Sequence, residues 1–365
     1  SIMALELWTS ADLLDMRQDM RLDPVPDYFW RTFFPTDFYS EDKDILMAEL
    51  PAPYRKLAPF VQPASQGKPI FERRGEKVKA VTPPYIKPKD VVRAVDARNV
   101  LPSQVWREGR GLPSLQARFD QRCAEVIAFH NRAIDMTKAW MAARAFIDGR
   151  VVIRYAADQG AEHPEVVVDF GRNPNLNIVL STEFWDDPDY DIIGDLTTWS
   201  NLMYQTAFSG RPSRVIVGAN VVACLQKNKG ILELLNTQIR GGEGTVLERG
   251  MLNIDEPMNF VMRLGGVGQS LEIWTYKDVV EAPNGDMIDI LDPRDVLLIA
   301  PGATGVMAHG AIYNVKAFAE GGIATDVFPT MWFENDPGDA VMMHESSPLP
   351  IPLYPNRVLK ARVLA

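Results

Sequence analysis

Side chains that could carry out chemistry are sparse in this sequence. The four histidines, His130, His163, His309 and His344, show no spacing that would bring metal ligands together. We therefore expect structural roles for all four, and the sequence predicts no metal or other cofactor.

Glycine-rich segments lack the residues that phosphate binding requires. Residues 241–244 (Gly-Gly-Glu-Gly) are not followed by the Lys-Ser/Thr pair of a P-loop, and residues 265–268 (Gly-Gly-Val-Gly) precede the strand-like segment 271–276. No Gly-x-Ser-x-Gly elbow occurs, and neither Cys123 nor Cys224 stands beside a candidate histidine. The sequence thus offers no catalytic residue, and we expect no enzyme.

Three aspartates imitate the start of a calcium-binding loop. Asp187, Asp189 and Asp191 occupy alternate positions, but Ile192 stands where that loop needs glycine. The twelfth position is Thr198 and not a bidentate glutamate. These departures favour a solvated turn, with adventitious cation binding as the alternative.

Length and charge limit the kind of protein. The 365 residues suffice for two or three domain-sized cores, and 46% hydrophobic with 24% charged residues is typical of a globular chain. The net charge of −10 argues against tight binding of DNA phosphates. The two distant cysteines fit a reducing compartment.

An aromatic segment between prolines is unusual for a free chain end. Residues 23–35 contain five aromatic side chains: Tyr28, Phe29, Trp30, Phe33 and Phe34. Such side chains must be buried either in their own domain or on a neighbouring chain. Because the segment is short and bounded by prolines, we expect burial on a neighbour.

The next region is rich in proline. Ten of the 27 prolines lie between Pro51 and Pro113, which disfavours helices and central strands and favours turns, edge strands and extended arms. Within it, residues 71–81 contain a predicted turn at Gly75. So long a loop makes sense if its contacts lie on another subunit.

The strongest local pattern predicts a helix from Ser114, as its N-cap, to about Ile147, where Asp148-Gly149 ends it. One apolar stripe consists of Leu115, Phe119, Cys123, Val126, Ile127, Ile134, Met141 and Ala145. A second stripe consists of Phe129, Ala133, Met136, Trp140 and Ala143. The helix should therefore be buried on two sides in its C-terminal half.

Helices and strands alternate after this helix. A hairpin is predicted from 151–155 and 165–170, and a helix capped by Asp195 should run to Phe208. Further helices are predicted over 220–226 and 229–235. Predicted strands cover 214–218, 260–263, 271–276, 287–290, 296–300, 330–333, 341–347 and 357–363, the last preceded by a proline-rich stretch.

The segment 81–91, Val-Thr-Pro-Pro-Tyr-Ile-Lys-Pro-Lys-Asp-Val, resembles the Thr-Pro-x-Tyr-x-Lys-Pro-Lys signature of the lambda-type phage major capsid proteins, the capsid protein E family. We call it the signature segment. Residues 22–35, 71–75 and 346–358 resemble that family's N-terminal arm, an Arg-Gly turn and the closing segment, in the same order. The sequence similarity is weak over 185–320, although the segments that resemble the family occur in the same order along nearly the whole chain.

This resemblance implies an α+β, Hong Kong 97-like capsid fold in a subunit that acts by self-assembly. The implied parts are an N-terminal arm (1–50), an extended β-hairpin loop (51–95), a peripheral domain (96–184) with the spine helix 114–147, an axial domain (185–325) and return strands of the peripheral domain (326–365). The expected intersubunit contacts are Tyr28, Phe29, Trp30, Phe33, Phe34, Phe71, Arg73, Arg74, Tyr85 and Lys87. The expected spine-helix core is Phe119, Val126, Ile127, Ile134, Trp140 and Met141.

By the same resemblance, the chain forms pentamers and hexamers of an icosahedral phage or prophage head. The shell would enclose double-stranded DNA without sequence preference, after assembly in the host cytoplasm and without a membrane. A 50-residue leader is too short for a fused scaffold, so a separate scaffolding protein is implied, with a portal and a decoration protein at three-fold positions. The alternatives are an encapsulin-like compartment or another phage structural protein of related fold, and, from a different class, an enzyme whose site follows no motif.

Overall fold

The computed structural model describes Ser10, Val95 and residues 25–48, 78–93, 114–155, 164–233, 256–265, 270–336 and 338–365. The chain divides into two compact units. The first comprises Ser1–Ile45, Thr82–Ala142 and Val306–Pro350, and the second Leu46–Val81, Ala143–Gly305 and Ile351–Ala365. This division differs from the predicted domains, because residues 143–184 and 351–365 fall in the unit that holds most of 185–325.

The labelled helices of the described residues are α1 (Tyr28–Phe33), α2 (Leu115–Asp148), α3 (Ile192–Gln205), α4 (Ala219–Lys227) and α5 (Val315–Glu320). Helix α2 confirms the predicted long helix. Ser114 Oγ accepts a hydrogen bond from the Ala117 amide at 3.2 Å, and Gly149 follows the last turn with a φ of 69°. Helix α3 begins earlier than predicted, because the cap is Asp191, whose side chain accepts from the Gly194 amide at 2.9 Å.

The strands of the described residues are β1 (Thr36–Tyr39), β2 (Ile45–Ala48), β3 (Val78–Val81), β4 (Lys89–Val92), β5 (Arg150–Ile153), β6 (Val166–Asp169), β7 (Asn177–Val179), β8 (Arg214–Val217), β9 (Met258–Leu264), β10 (Leu271–Tyr276), β11 (Val279–Glu281), β12 (Met287–Asp289), β13 (Asp295–Ile299), β14 (Gly305–His309), β15 (Phe328–Phe333), β16 (Ala340–Glu345), β17 (Pro348–Pro352) and β18 (Val358–Arg362). Short 3-10 turns cover Pro174–Leu176 and Pro355–Arg357, and residues 229–233 are helical. The predicted turn at Gly75, and residues 156–163 between the two arms of the predicted hairpin, lie outside the described residues.

The first unit contains two three-stranded sheets, in the strand orders β1–β14–β17 and β15–β16–β4. β1 runs parallel to β14, and β16 is antiparallel to both of its neighbours. Apolar side chains of α2 pack on the second sheet in a buried cluster of Val92, Phe119, Cys123, Ile127, Met331, Ala340 and Met342. This packing fixes the N-terminal half of α2 against β4, β15 and β16.

Strand β17 was not predicted, because prolines usually interrupt a ladder. It stands at the edge of its sheet, where a missing amide is tolerated. Pro348, Pro350 and Pro352 alternate with Leu349 and Ile351, so every second residue keeps its amide.

The second unit is built on a six-stranded sheet in the order β7–β18–β13–β8–β10–β9. The central pairs β18–β13 and β13–β8 are antiparallel, and β8–β10 is parallel. Helices α3 and α4 contribute to its core through Leu196, Trp199, Met203, Val221 and Leu225, which pack with buried residues of β8, β10, β13 and β18. The pairs β2–β3, β5–β6 and β11–β12 are separate two-stranded ladders.

Candidate functional site

Two residues of the signature segment converge on one buried carboxylate. Tyr85 Oη donates to Glu345 Oε1 at 3.2 Å, and Lys87 Nζ lies 3.0 Å from the same oxygen. Glu345 ends β16 and is 1% exposed, so its charge depends on these partners for stabilisation. Backbone hydrogen bonds in both directions between Ile86 and Ser346, of 2.8 and 3.0 Å, hold the segment beside the end of β16.

The same carboxylate anchors the start of α5. Asn314 Nδ2 donates to Glu345 Oε2, while Asn314 Oδ1 caps the helix by accepting from the Lys316 amide at 3.0 Å. The Tyr313 amide donates to Tyr85 Oη at 3.2 Å. Burial, and then the charge of Glu345, raise the pKa of Tyr85 above its ordinary value, so its hydroxyl keeps the proton that it donates. We define the Glu345 hub as Tyr85, Lys87, Asn314 and Glu345.

A second polar cluster joins α2 to the β15–β16–β4 sheet. His130 and His344 are buried, and their Nδ1 atoms are 2.8 Å apart. The other ring nitrogen of His130, Nε2, lies 2.8 Å from Asp90 Oδ2 on β4. These two histidines are therefore partners in the fold, and their separation of 214 positions conceals the pair in the sequence.

A third cluster surrounds Lys138, whose side chain is fully buried on α2. Its ammonium contacts the Asp326 carboxylate and lies 5.5 Å from the ring centre of Trp30. His309 Nδ1 is 3.4 Å from Asp326 Oδ1, and its Nε2 is 3.2 Å from Asp37 Oδ1. Burial lowers the pKa of His309, although both carboxylates act in the opposite direction.

The aromatic segment is buried within the chain itself. Phe29, Trp30, Phe33 and Phe34 are 1, 5, 6 and 2% exposed, and Tyr28 is partly buried. The expectation that a neighbour buries these side chains is wrong for the first four. Helix α1 places Phe29 and Phe33 in a stacked pair, 6.1 Å between ring centres, and the segment packs into the first unit despite its flanking prolines.

The other expected contact residues divide into two groups. Phe71, Arg73 and Arg74 lie outside the described residues. Tyr85 and Lys87 contact Glu345 within the chain, although about half of the Lys87 side chain is exposed. An intersubunit role for these five residues stays a prediction.

The expected core of the long helix has a varied environment. Phe119, Ile127, Ile134 and Met141 are buried, and Val126 and Trp140 are half-buried. The prediction that the second stripe is buried was wrong at its first residue, because Phe129 is 67% exposed. Burial on two sides therefore begins later along α2 than the sequence pattern indicated.

The aspartates near α3 form a turn and a cap. Asp187 Oδ1 accepts from the Asp189 amide at 2.9 Å, Asp189 pairs with Lys229 at 2.6 Å, and Asp191 caps α3. No group of three or more histidine, cysteine or acidic side chains among the described residues is arranged to hold a metal ion. The helices in the described part of the chain include none that is both long and apolar enough to cross a membrane.

The sequence patterns gave no role to Glu345 or Asn314, and gave His344 only an unspecified structural role. One sequence signal was available, because His344 and Glu345 follow directly on the apolar run 340–343. Two ionisable residues in succession are rare in a strand with a buried face. Asn314 precedes a short helical segment, as an N-cap should.

Comparison with known proteins connects this arrangement to one family. The sequence model described as phage major capsid protein E matches residues 9–363. The chain belongs to this family. It is 25% identical, over 309 residues, to the P21 prophage-derived major head protein of Escherichia coli O6:H1 and to the major capsid protein of Enterobacteria phage P21, with 84% of this chain and 85% of each relative covered.

A solved structure shows the same fold. The crystal structure described as a capsid protein of an E. coli CFT073 prophage superposes with a TM-score of 0.67 at 19% identity, covering 98% of this chain and 99% of that one. The fold is thus the α+β, Hong Kong 97-like capsid fold that the resemblance implied. As a member of its family, the chain functions as a phage or prophage major capsid protein, a structural subunit that oligomerises into the virion shell and not an enzyme.

Proposed function

We propose that copies of this chain close both pentamers and hexamers of one icosahedral shell around double-stranded DNA. Family membership over residues 9–363 carries this proposal. A single subunit can occupy both ring sizes if each contact joins two different patches on neighbouring copies. The net charge of −10 supports a DNA-filled shell, because an acidic wall does not hold phosphates and lets DNA slide during packaging.

Within this shell, residues 1–50 would serve as an arm that the buried aromatic segment anchors to its own subunit. Residues 51–95 would extend over a neighbour, with Phe71, Arg73, Arg74 and Lys87 as candidate contacts. Residues 96–184 and 326–365 would form the peripheral domain, and 185–325 would meet copies around the five-fold and six-fold axes. A separate scaffolding protein, a portal and a decoration protein at three-fold positions would complete a head assembled in the host cytoplasm.

Electron microscopy of the purified chain tests this proposal, alone and after co-expression with a scaffolding protein. We expect closed particles in which image classification finds both five-fold and six-fold rings of the same chain. Sedimentation velocity over a wide concentration range gives an independent measure of assembly. A chain that stays monomeric under all these conditions would contradict the proposal.

A further inference from the structure

The outer face of α5 exposes three large apolar side chains. Tyr313, Val315 and Phe318 are 54, 82 and 57% exposed. Val315 and Phe318 are three residues apart and share one face of the helix, and Tyr313 lies two positions before Val315, ahead of the N-cap Asn314. At 150–250 Å² for a whole aromatic side chain, these exposures leave on the order of 300 Å² of apolar surface. That equals the largest apolar patch of many monomers, and such patches are often functional.

The inner face of α5 is anchored by Ala317, the buried residue of this helix. Ala317 is fully buried and packs with Ile312 and Phe328. Gly321 ends the helix in the left-handed region, at a φ of 73°, and its amide bonds to the Ala317 carbonyl. A six-residue helix has little stability of its own, so these contacts determine which face it presents.

We propose that Tyr313, Val315 and Phe318, the α5 surface, form a docking surface for a second copy of this chain, and that the Glu345 hub positions it. The proposal rests on the assembly function above and specifies one of its contacts. A copy of the chain is the partner because the family oligomerises into shells, where each subunit is surrounded by others. An apolar surface is also a poor match for DNA phosphates.

The size and surroundings of the surface fit part of a protein interface. A standard interface buries about 800 Å² on each partner, so the α5 surface would supply its apolar centre and not its whole area. Lys316 and Glu320, half-exposed and 3.9 Å apart, lie on the same helix as a polar rim.

Through the hub, Tyr85 of the signature segment contributes to this contact from within its own subunit. The Tyr313 amide bonds to Tyr85 Oη, and Asn314 bonds to Glu345. The signature residue Tyr85 thus holds the backbone at Tyr313, directly before the N-cap Asn314, and the two tyrosine rings lie 5.9 Å apart. Tyr85 is therefore a positioning residue for assembly.

Three single variants test the proposal in the full chain. Val315→Lys and Phe318→Lys should lower the yield of shells at least about tenfold, as expected for the centre of an interface, with melting temperatures of the unassembled chain close to wild type because both side chains are exposed. Gln121→Lys adds the same charge at an exposed position of α2, outside the α5 surface and its polar rim, and should assemble normally. Shell yield is measured by sedimentation and electron microscopy.

Tyr85→Phe separates positioning from contact. It keeps the ring and removes the hydroxyl, so it should speed amide exchange over residues 313–320 in the unassembled chain and lower the shell yield. Val315→Lys should lower the yield without that change in exchange.

Two results would overturn the inference in distinguishable ways. Normal shells from both lysine variants, beside normal wild-type shells, would show that α5 is not an interface and would leave the assembly function intact. Failure of the wild type to assemble would instead remove the proposed function, and this inference with it.

Discussion

Replacing Phe34 by alanine should destabilise the unassembled subunit, whereas the same replacement at Phe129 should have little effect. Phe34 is 2% exposed and Phe129 is 67% exposed, so the pair differs in burial and not in chemistry. Burying a phenylalanine removes on the order of 200 Å² from water, which corresponds to about 5 kcal/mol at 25 cal/mol per Å² as an upper limit. Losses for Phe→Ala in cores are about 3–5 kcal/mol, and we expect that range for Phe34. The expected change at Phe129 is within about 0.5 kcal/mol.

Urea unfolding at protein concentrations below assembly, followed by tryptophan fluorescence, measures this difference. The dependence of free energy on urea should stay similar in both variants, because a changed slope would indicate an altered unfolded or native state. Phe29→Ala, at a position 1% exposed, serves as a second buried test. If Phe34→Ala and Phe29→Ala each cost less than about 1 kcal/mol, the aromatic segment is not part of the subunit's core. Its burial would then have to be sought on a neighbour after all.

Three further predictions concern the polar clusters and α2. Glu345→Ala should cost about 2–4 kcal/mol in urea melts, since it removes the acceptor of Tyr85 and Asn314, and Glu345→Gln should cost less; equal costs would argue against a role for the charge. Burial lowers the folded-state pKa of His309, so the unfolded chain binds this proton first and stability is lost as pH falls below about 6.5. The melting temperature should therefore fall less between pH 8 and pH 5 for His309→Gln than for wild type. The same decrease in both proteins would refute this. Ile134→Ala, at a fully buried position on α2, should cost about 2–5 kcal/mol in urea, and a silent variant would contradict the packing of the helix.

Local patterns predicted α2 well because its determinants are local. Ser114, Gly149 and the apolar spacing between them all act within a few residues, and the helix ends within one residue of the predicted boundaries. The strands of the second unit were also found, since buried runs such as 214–217 and 271–276 carry their pattern in sequence. Asp191 rather than Asp195 caps α3 because two aspartates compete for one helix start, and only the geometry of the turn decides between them.

Contacts between distant residues could not be predicted in this way. Tyr85 and Glu345 are 260 residues apart, and nothing near either one indicates the other. The prediction that a neighbour buries the aromatic segment was wrong for a related reason. Prolines restrict the backbone of the segment but do not indicate the side chains of α2 against which Trp30 lies. The resemblance identified the signature segment as important, but only the structure suggests what its residues do.

The pair His130–His344 shows why this part of the fold needs particular residue types and not only polarity. Two Nδ1 atoms 2.8 Å apart can share one proton and no more, because two N–H groups directed at each other would repel. Nε2 of His130 faces the Asp90 carboxylate and must carry a proton there to form that hydrogen bond. If His130 is neutral, its Nδ1 is therefore the acceptor and His344 the donor, so the carboxylate on β4 determines the tautomer of a ring on β16. Glutamine can reproduce one of these bonds but not both ring contacts, so His130→Gln should weaken the packing of α2 on the sheet more than His344→Gln does.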